Sequence, residues 1–257
     1  MEDVSALLVE SLDLGQRLFK LVLKAPEIAE NVAPGQFVHI KLNGFDSHIL
    51  RRPISVYKAN KDDGTIELII QEVGKGTKFL HEAKCGAQFD VIGPIGHGWG
   101  KCKQGENVLL VGGGVGAAPL YMQAQDAKLA GAKVGVVLGA QTKDALVTLH
   151  DYEAILGENV YCATDDGSFG EHGFCTGLVE KLLSQEHFDR TFVCGPQPLM
   201  KIVADLCKNA QVPCEVSMEK RMACGVGACL SCVVDTNNGK KRACVDGPVF
   251  NSEEIVW

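Results

Sequence analysis

Short apolar runs punctuated by turn residues fill the first hundred or so positions. They lie at Phe19 to Leu23, Gln36 to Leu42, Ile54 to Tyr57, Thr65 to Glu72 and Gln88 to Ile92. The breaks between them are Ala33-Pro-Gly, Asp62-Asp-Gly and Gly93-Pro-Ile-Gly. Many short strands with such breaks predict a small antiparallel β-barrel. Thr77 to Ala83 is the one stretch there that reads as a helix. From about residue 103 the pattern changes. Asn107 to Val111 reads as a buried strand, followed by a glycine-rich turn and an apolar helix from Leu120 to Ala130. Lys133 to Leu138, Val160 to Thr164 and Thr191 to Cys194 are further apolar runs, with helical patterns at Gly177 to Ser184 and Pro198 to Asn209. Strands alternating with helices predict a doubly wound parallel α/β sheet. In the last segment, Val226 to Val234 and Lys241 to Cys244 flank Asn237-Asn-Gly, a strong hairpin signal that would bring Cys232 and Cys244 together. The expected organisation is a barrel over 1–101, an α/β domain over 102–210 and a small cysteine-rich domain over 211–257.

Composition narrows the class without deciding it. With 46% hydrophobic and 22% charged residues, the chain can bury sizeable cores. A net charge of −7 argues against a nucleic-acid partner. No basic n-region and no long apolar run are present, so neither a signal peptide nor a membrane span is expected. Eleven cysteines in such a chain suggest a reducing compartment, the cytoplasm.

Four of those cysteines change the picture. Cys224, Cys229 and Cys232 are spaced C-x4-C-x2-C, and Cys244 follows. This is the plant-type spacing for a [2Fe–2S] cluster. Gly225, Gly227 and Ala228 keep the loop bare and leave backbone N–H groups free to face sulfur. Structural zinc is the alternative, although zinc ligands usually come as two short paired hooks. Disulfides or free thiols are the remaining reading.

Other stretches are weaker taken singly. Arg51-Arg52-Pro53-Ile54-Ser55 offers a guanidinium for a phosphate and a hydroxyl for a flavin edge, or else a solvated Arg pair. Gly74-Lys-Gly-Thr77 could open a helix toward a pyrophosphate, or simply cap it. Gly112, Gly113, Gly114 and Gly116 follow a strand, but not as a strict dinucleotide fingerprint. Asp165 and Asp166 at a strand end would accept from ribose hydroxyls and repel a 2′-phosphate, favouring NAD over NADP, or else form a polar turn. Cys194-Gly195-Pro196 ends another strand where a nicotinamide would stack; a core cysteine before a turn is the alternative.

Together these residues resemble the ferredoxin–NADP reductase family: Arg-Pro-x-Ser in a barrel, Gly-Gly-x-Gly-x-x-Pro-Leu after a strand, Cys-Gly-Pro after a later one. The stretch Met218 to Cys232, with Gly247-Pro-Val-Phe behind it, narrows the resemblance to the electron-transfer subunits of dihydroorotate dehydrogenase B. The resemblance covers the whole chain. It implies FAD on Arg52, Pro53, Ile54, Ser55, Ile69, Ile70, Gln71, Gly76 and Thr77. It implies cluster ligation by Cys224, Cys229, Cys232 and Cys244, and NAD(H) as substrate. It further implies an FMN-containing catalytic subunit that oxidises dihydroorotate, in a heterotetramer of two plus two, serving pyrimidine synthesis. The wider family has Tyr between the Arg and the Ser. Here Ile54 stands there, and Tyr57 would face the other side of a regular strand. Rival readings are the small subunit of a ferredoxin–NADP transhydrogenase or of a sulfide or sulfite reductase and, from another class, a zinc-stabilised binding module. The bifurcating transhydrogenases resemble this chain but carry Asp in place of one cluster cysteine. No acid–base residue for dihydroorotate chemistry is evident.

Overall fold

The structure, a computed structural model, describes residues 1–45 and 49–257. The chain divides into two compact units. The first comprises Met1–Gly98, Glu219–Val234 and Lys240–Pro248; the second comprises Trp99–Met218, Asp235–Gly239 and Val249–Trp257. Residues 211–257 are therefore shared between the two.

The first unit is built on strands β1 (Glu2–Gly15), β2 (Leu18–Lys24), β3 (Phe37–Ile40), β4 (Arg52–Ser55), β5 (Lys58–Asn60), β6 (Thr65–Gln71) and β7 (Gln88–Ile95). Helices α1 (Pro26–Asn31) and α2 (Lys75–His81) interrupt them. The order is β4-β3-β7-β1-β2-β6-β5, with every paired neighbour antiparallel. The sheet curls until edge strand β4 comes within 8 Å, Cα to Cα, of β6. This is the expected barrel-like architecture.

The sequence pattern gave no hint of β1, the longest strand. Only Ala6 and Leu8 are buried along it, and Glu2, Asp3, Glu10 and Asp13 interrupt its apolar residues. What holds it is pairing on both sides: its first half runs against β7 and its second against β2. Helix α2 begins two residues before the expected Thr77. Thr77 Oγ1 accepts from the N–H groups of Val73 (2.9 Å) and Gly74 (3.1 Å), so Thr77 closes the preceding turn from within the helix.

The second unit contains β8 (Asn107–Gly113), a 3₁₀ turn over Gly114–Leu120, α3 (Tyr121–Leu129), β9 (Lys133–Ala140), α4 (Leu149–Leu156), β10 (Val160–Thr164) and the short β11 (Glu171–His172). It continues with α5 (Thr176–Gln185), β12 (Arg190–Cys194), α6 (Gln197–Asn209) and β13 (Cys214–Ser217). The hairpin of β14 (Val233–Thr236) and β15 (Gly239–Arg242), whose residues are divided between the two units, follows in the chain, and β16 (Val249–Asn251) returns to the edge of the second unit's sheet. The order is β11-β10-β9-β8-β12-β13-β16. All pairs are parallel except β13 with β16. The chain leaves β8 in one direction and returns for β12 on the other side, so the topological switch point falls between these two strands. The hairpin strands are shorter than the sequence suggested, because residues 224–232 form an irregular loop. Likewise the expected helical entry after β8 is a 3₁₀ turn, in which Pro119 has no N–H to contribute.

Candidate functional site

The cysteine loop belongs to the first unit. Gly225 (φ +71°), Gly227 (φ +82°) and Leu230 (φ +56°) are left-handed, and they wind the chain around Cys224. As a result the N–H groups of Val226 and Cys229 both donate to Cys224 Sγ at 3.4 Å. Partial burial disfavours the Cys224 thiolate, but these donors and the Cys229 side chain outweigh it and bring the pKa down to about 6. Across the hairpin base the Ala243 N–H donates to Cys232 O at 2.9 Å, and Cys232 Sγ and Cys244 Sγ lie 3.3 Å apart. Burial, then the Cys232 sulfur, push the Cys244 thiol up to about 12. Arg242 anchors the far side of the loop: its Nη1 donates to Gly227 O at 3.1 Å, and Asp246 holds its Nε at 3.3 Å.

The four thiols thus form two pairs, Cys224 with Cys229 and Cys232 with Cys244. The second pair is buried, whereas Cys229 is exposed and Cys224 partly so. Two pairs with backbone N–H groups aimed at sulfur fit a [2Fe–2S] cluster, where each iron takes two thiolates. All eleven cysteines are free thiols, so no disulfide accounts for the spacing. Among the described residues no three His, Cys, Asp or Glu side chains converge on a single-ion site.

Strand β4 separates the two arginines. Arg51 is tied into the sheet: its Nη1 donates to Asp90 O at 2.6 Å, and Asp3 lies 3.9 Å from Nη2. Arg52 turns instead to the start of α2. Its Nη1 donates to Leu50 O at 2.5 Å, and its guanidinium lies over Gly76, where a Cβ would stand 2.6 Å from Cζ. Arg52, Gly76 and Thr77, three of the residues expected to hold FAD, are therefore brought together. Pro53 and Ser55 point to the opposite face of β4 from Arg52 and Ile54. On β6, Ile69 and Ile70 are buried and offer only backbone, while Gln71 is exposed. β4 ends at Ser55, so Tyr57 falls between β4 and β5 rather than on a continuing regular strand; it is buried, with the Lys58 ammonium 4.9 Å over its ring.

A residue that the sequence did not single out lies next to this strand. His39 on β3 is fully buried and pairs in register with Pro53. Neither ring nitrogen has a hydrogen-bond partner among the described residues. The backbones of Arg51 and Cys224 face the ring and favour its charged form, although neither meets hydrogen-bond geometry with a ring nitrogen. Burial first, and then the Arg51 charge, bring its pKa down to about 4. The only signal in the sequence is a histidine inside the apolar run Gln36 to Leu42, a pattern that normally marks a core residue.

In the second unit the glycine-rich turn meets the end of β12. Cys194 pairs in register with Gly112, and a Cβ on Gly116 would stand 2.5 Å from Cys194 O. A Cβ on Gly195 would stand 3.1 Å from Gly113 Cα. Gly112, Gly113, Gly116, Cys194 and Gly195 thus gather at the carboxyl ends of β8 and β12, the switch-point crevice where open α/β sheets bind ligands. Two aromatic donors hold the turn from behind: Trp99 Nε1 donates to Pro119 O at 3.0 Å, and the buried Tyr152 hydroxyl to Ala117 O at 2.7 Å. Gly114 (φ +56°) has nothing within 4 Å of where its Cβ would stand. Asp165 and Asp166 follow β10, two strands away from β8. Asp166 is engaged in its own turn, where Oδ1 accepts from Ser168 N (3.0 Å) and Oγ (2.6 Å), and those bonds hold its carboxyl below the usual range. Lys143 also stands at this turn, its ammonium 5.5 Å over the Phe169 ring. The 160–174 segment, read by itself, has no such cation.

Residues 8–99 match the family model of an oxidoreductase FAD-binding domain. Residues 219–256 match that of the iron–sulfur cluster binding domain of dihydroorotate dehydrogenase B. A curled flavin-type sheet, a doubly wound sheet and a C-terminal iron–sulfur segment define an iron–sulfur flavoprotein oxidoreductase with the ferredoxin reductase-like fold. The dihydroorotate dehydrogenase B (NAD(+)) electron transfer subunit of Desulforamulus reducens is 40% identical over 91% of this chain and 90% of its own. That of Fusobacterium nucleatum is 34% identical over 96% and 95%. The chain belongs to the family of dihydroorotate dehydrogenase B electron transfer subunits. A solved chain of an NADH-dependent reduced ferredoxin–NADP oxidoreductase, 34% identical, superposes with a TM-score of 0.91 over 99% of this chain and 90% of that one.

Proposed function

We propose that this chain is the NAD-reducing electron-transfer subunit of an NAD-dependent dihydroorotate dehydrogenase, taking electrons from a separate dihydroorotate-oxidising subunit. The observation that carries this is the placement of two thiol pairs in the same compact unit as the Arg52–Gly76 cradle. When bound, FAD can exchange electron pairs with a nicotinamide and single electrons with a [2Fe–2S] cluster, which makes it the necessary converter between the two. Arg52 would grip the FAD phosphates with the backbone at Gly76 and Thr77, and Pro53, Ile54, Ser55 and β6 residues 69–71 would line the rest of its site. Cys224, Cys229, Cys232 and Cys244 would hold the cluster. The glycines at the ends of β8 and β12 would admit the nicotinamide nucleotide close to backbone, with Cys194 beside the ring and the β10 carboxylates favouring NAD over NADP. No helix among the described residues is long and apolar enough to cross a membrane, and we place the protein in the cytoplasm. Its partner in this reading is an FMN-containing catalytic subunit, two copies of each forming the complex.

The test is direct. Purified protein should carry both flavin and cluster absorbance, oxidise NADH with artificial acceptors, and turn over dihydroorotate only once the catalytic subunit is added. Iron-free protein, or dihydroorotate turnover by the chain alone, overturns the proposal. The likeness to the ferredoxin–NADP oxidoreductase chain favours one second reading, a subunit exchanging electrons with ferredoxin. The four thiols speak against it. Ferredoxin-dependent NADP⁺ reduction on adding a second subunit, without dihydroorotate activity, would establish it.

A further inference from the structure

His39 stands between the two cofactor-binding elements of the first unit. On one side it pairs in register with Pro53 of the flavin strand β4. On the other the cysteine loop closes onto its ring: a Cβ at Gly225 would stand 2.5 Å from Nδ1 and 3.2 Å from Cε1. The close approach and the left-handed φ of +71° together exclude any residue but glycine there. The ring is fully buried, yet both nitrogens lack a partner among the described residues. Buried polar atoms without partners are rare in folded proteins, and one at a cofactor site points to a partner supplied by the bound group. In either protonation state an imidazole carries at least one N–H.

We infer that His39, whose unpartnered Nδ1 lies against Gly225 beside Cys224, is a positioning residue that supplies a hydrogen-bond donor to the sulfur side of the cluster site and the floor on which the loop closes. The inference rests on the cluster reading above and adds a residue to it. Donors to cluster sulfur stabilise the reduced, more negatively charged state and so raise the potential. Removing this donor should lower it.

The test compares His39→Leu with His39→Gln, whose amide keeps an N–H, in the full chain loaded with flavin and iron. The readouts are iron and flavin content and the midpoint potential of each cofactor by spectroscopic redox titration. His39→Leu should shift the cluster's oxidised-to-reduced equilibrium about tenfold toward the oxidised form, about 59 mV for one electron, with the flavin potential unmoved. His39→Gln should recover a substantial part of that shift. An unmoved cluster potential in a fully loaded His39→Leu protein overturns the inference. So does a His39→Gln potential as low as that of His39→Leu, which would mean that only ring volume matters. If His39→Leu fails to load iron, the comparison passes to His39→Gln and His39→Phe, and equal potentials in those two reject the donor role. Wild-type protein without iron would instead refute the cluster reading itself, so the two failures are distinguishable.

Discussion

Cys224, Cys229, Cys232 and Cys244 stand at the spacing that a [2Fe–2S] cluster demands of its ligands. The structure adds the pairing. Cys232 and Cys244 meet at 3.3 Å across the hairpin, whereas Cys207 is buried in the second unit beside Cys214. Cys232→Ser should therefore abolish or cripple the cluster, and Cys207→Ser should leave iron content unchanged. Iron and sulfide analysis of the two variants decides it, and full iron in Cys232→Ser would remove the ligand assignment. The split between Arg51 and Arg52 was not legible, since two adjacent arginines look alike until the sheet engages one of them. Because the Arg52 guanidinium lies over Gly76, Arg52→Ala and Gly76→Ala disturb the same cradle. A charge-assisted hydrogen bond is worth roughly 1.5–3 kcal/mol, so Arg52→Ala should weaken FAD retention by about 10- to 100-fold. Gly76→Ala should act in the same direction by displacing the guanidinium, and adding it to Arg52→Ala should cost little more. Flavin release followed by fluorescence measures all three. His39 stayed hidden for the opposite reason to the cysteines: one polar residue in an apolar run has no spacing to betray it.

Among the elements, the parallel sheet was easy to read because its strands are continuous apolar runs, buried on both faces. Of the helices around it, α4 was not. Helix α4 buries only Tyr152, so it carries no clear apolar stripe, yet it delivers the hydroxyl that holds the glycine-rich turn through Ala117 O. Burial holds the Tyr152 phenol well above its ordinary pKa, so it stays a donor across the working pH range. Tyr152→Phe keeps the ring's edge-on contact with Tyr121 and orphans one buried carbonyl, a cost of roughly 1–3 kcal/mol at the turn. The expected result is a several-fold higher KM for NADH, with flavin and iron content unchanged. A KM equal to wild type would show that the turn is held well enough by the Trp99 bond to Pro119 O and the strands themselves. The missed strand β1 makes the complementary point. Pairing on both sides stabilises it despite a poor pattern, and pairing is invisible until the neighbours are placed.

For the assembled complex, the decisive asymmetry is in the thiol pairs. Cys232 and Cys244 are buried, while Cys229 and its neighbours Ala228, Leu230 and Ser231 face solvent. Electrons exchanged with another subunit must pass through the outward side, because a cluster enclosed on all sides could not pass them on. Leu230 is 63% exposed and Val226 44%. Large apolar side chains at a loop surface beside a redox centre are costly in water and suited to a partner's apolar surface. The left-handed φ of +56° at Leu230 adds to that cost, since a branched side chain is kept where glycine or asparagine would relax the backbone. If Leu230 only shields the cluster, Leu230→Glu should leave coupled activity near wild type. If it docks the catalytic subunit, a buried unpaired carboxylate in the interface should reduce dihydroorotate–NAD turnover on mixing by tenfold or more, about 1.4 kcal/mol or greater. NADH oxidation with artificial acceptors and iron content should not change, because Leu230 ligates nothing. Raising the concentration of the catalytic subunit should restore turnover in the variant, as a weakened interface requires and a damaged cluster does not allow.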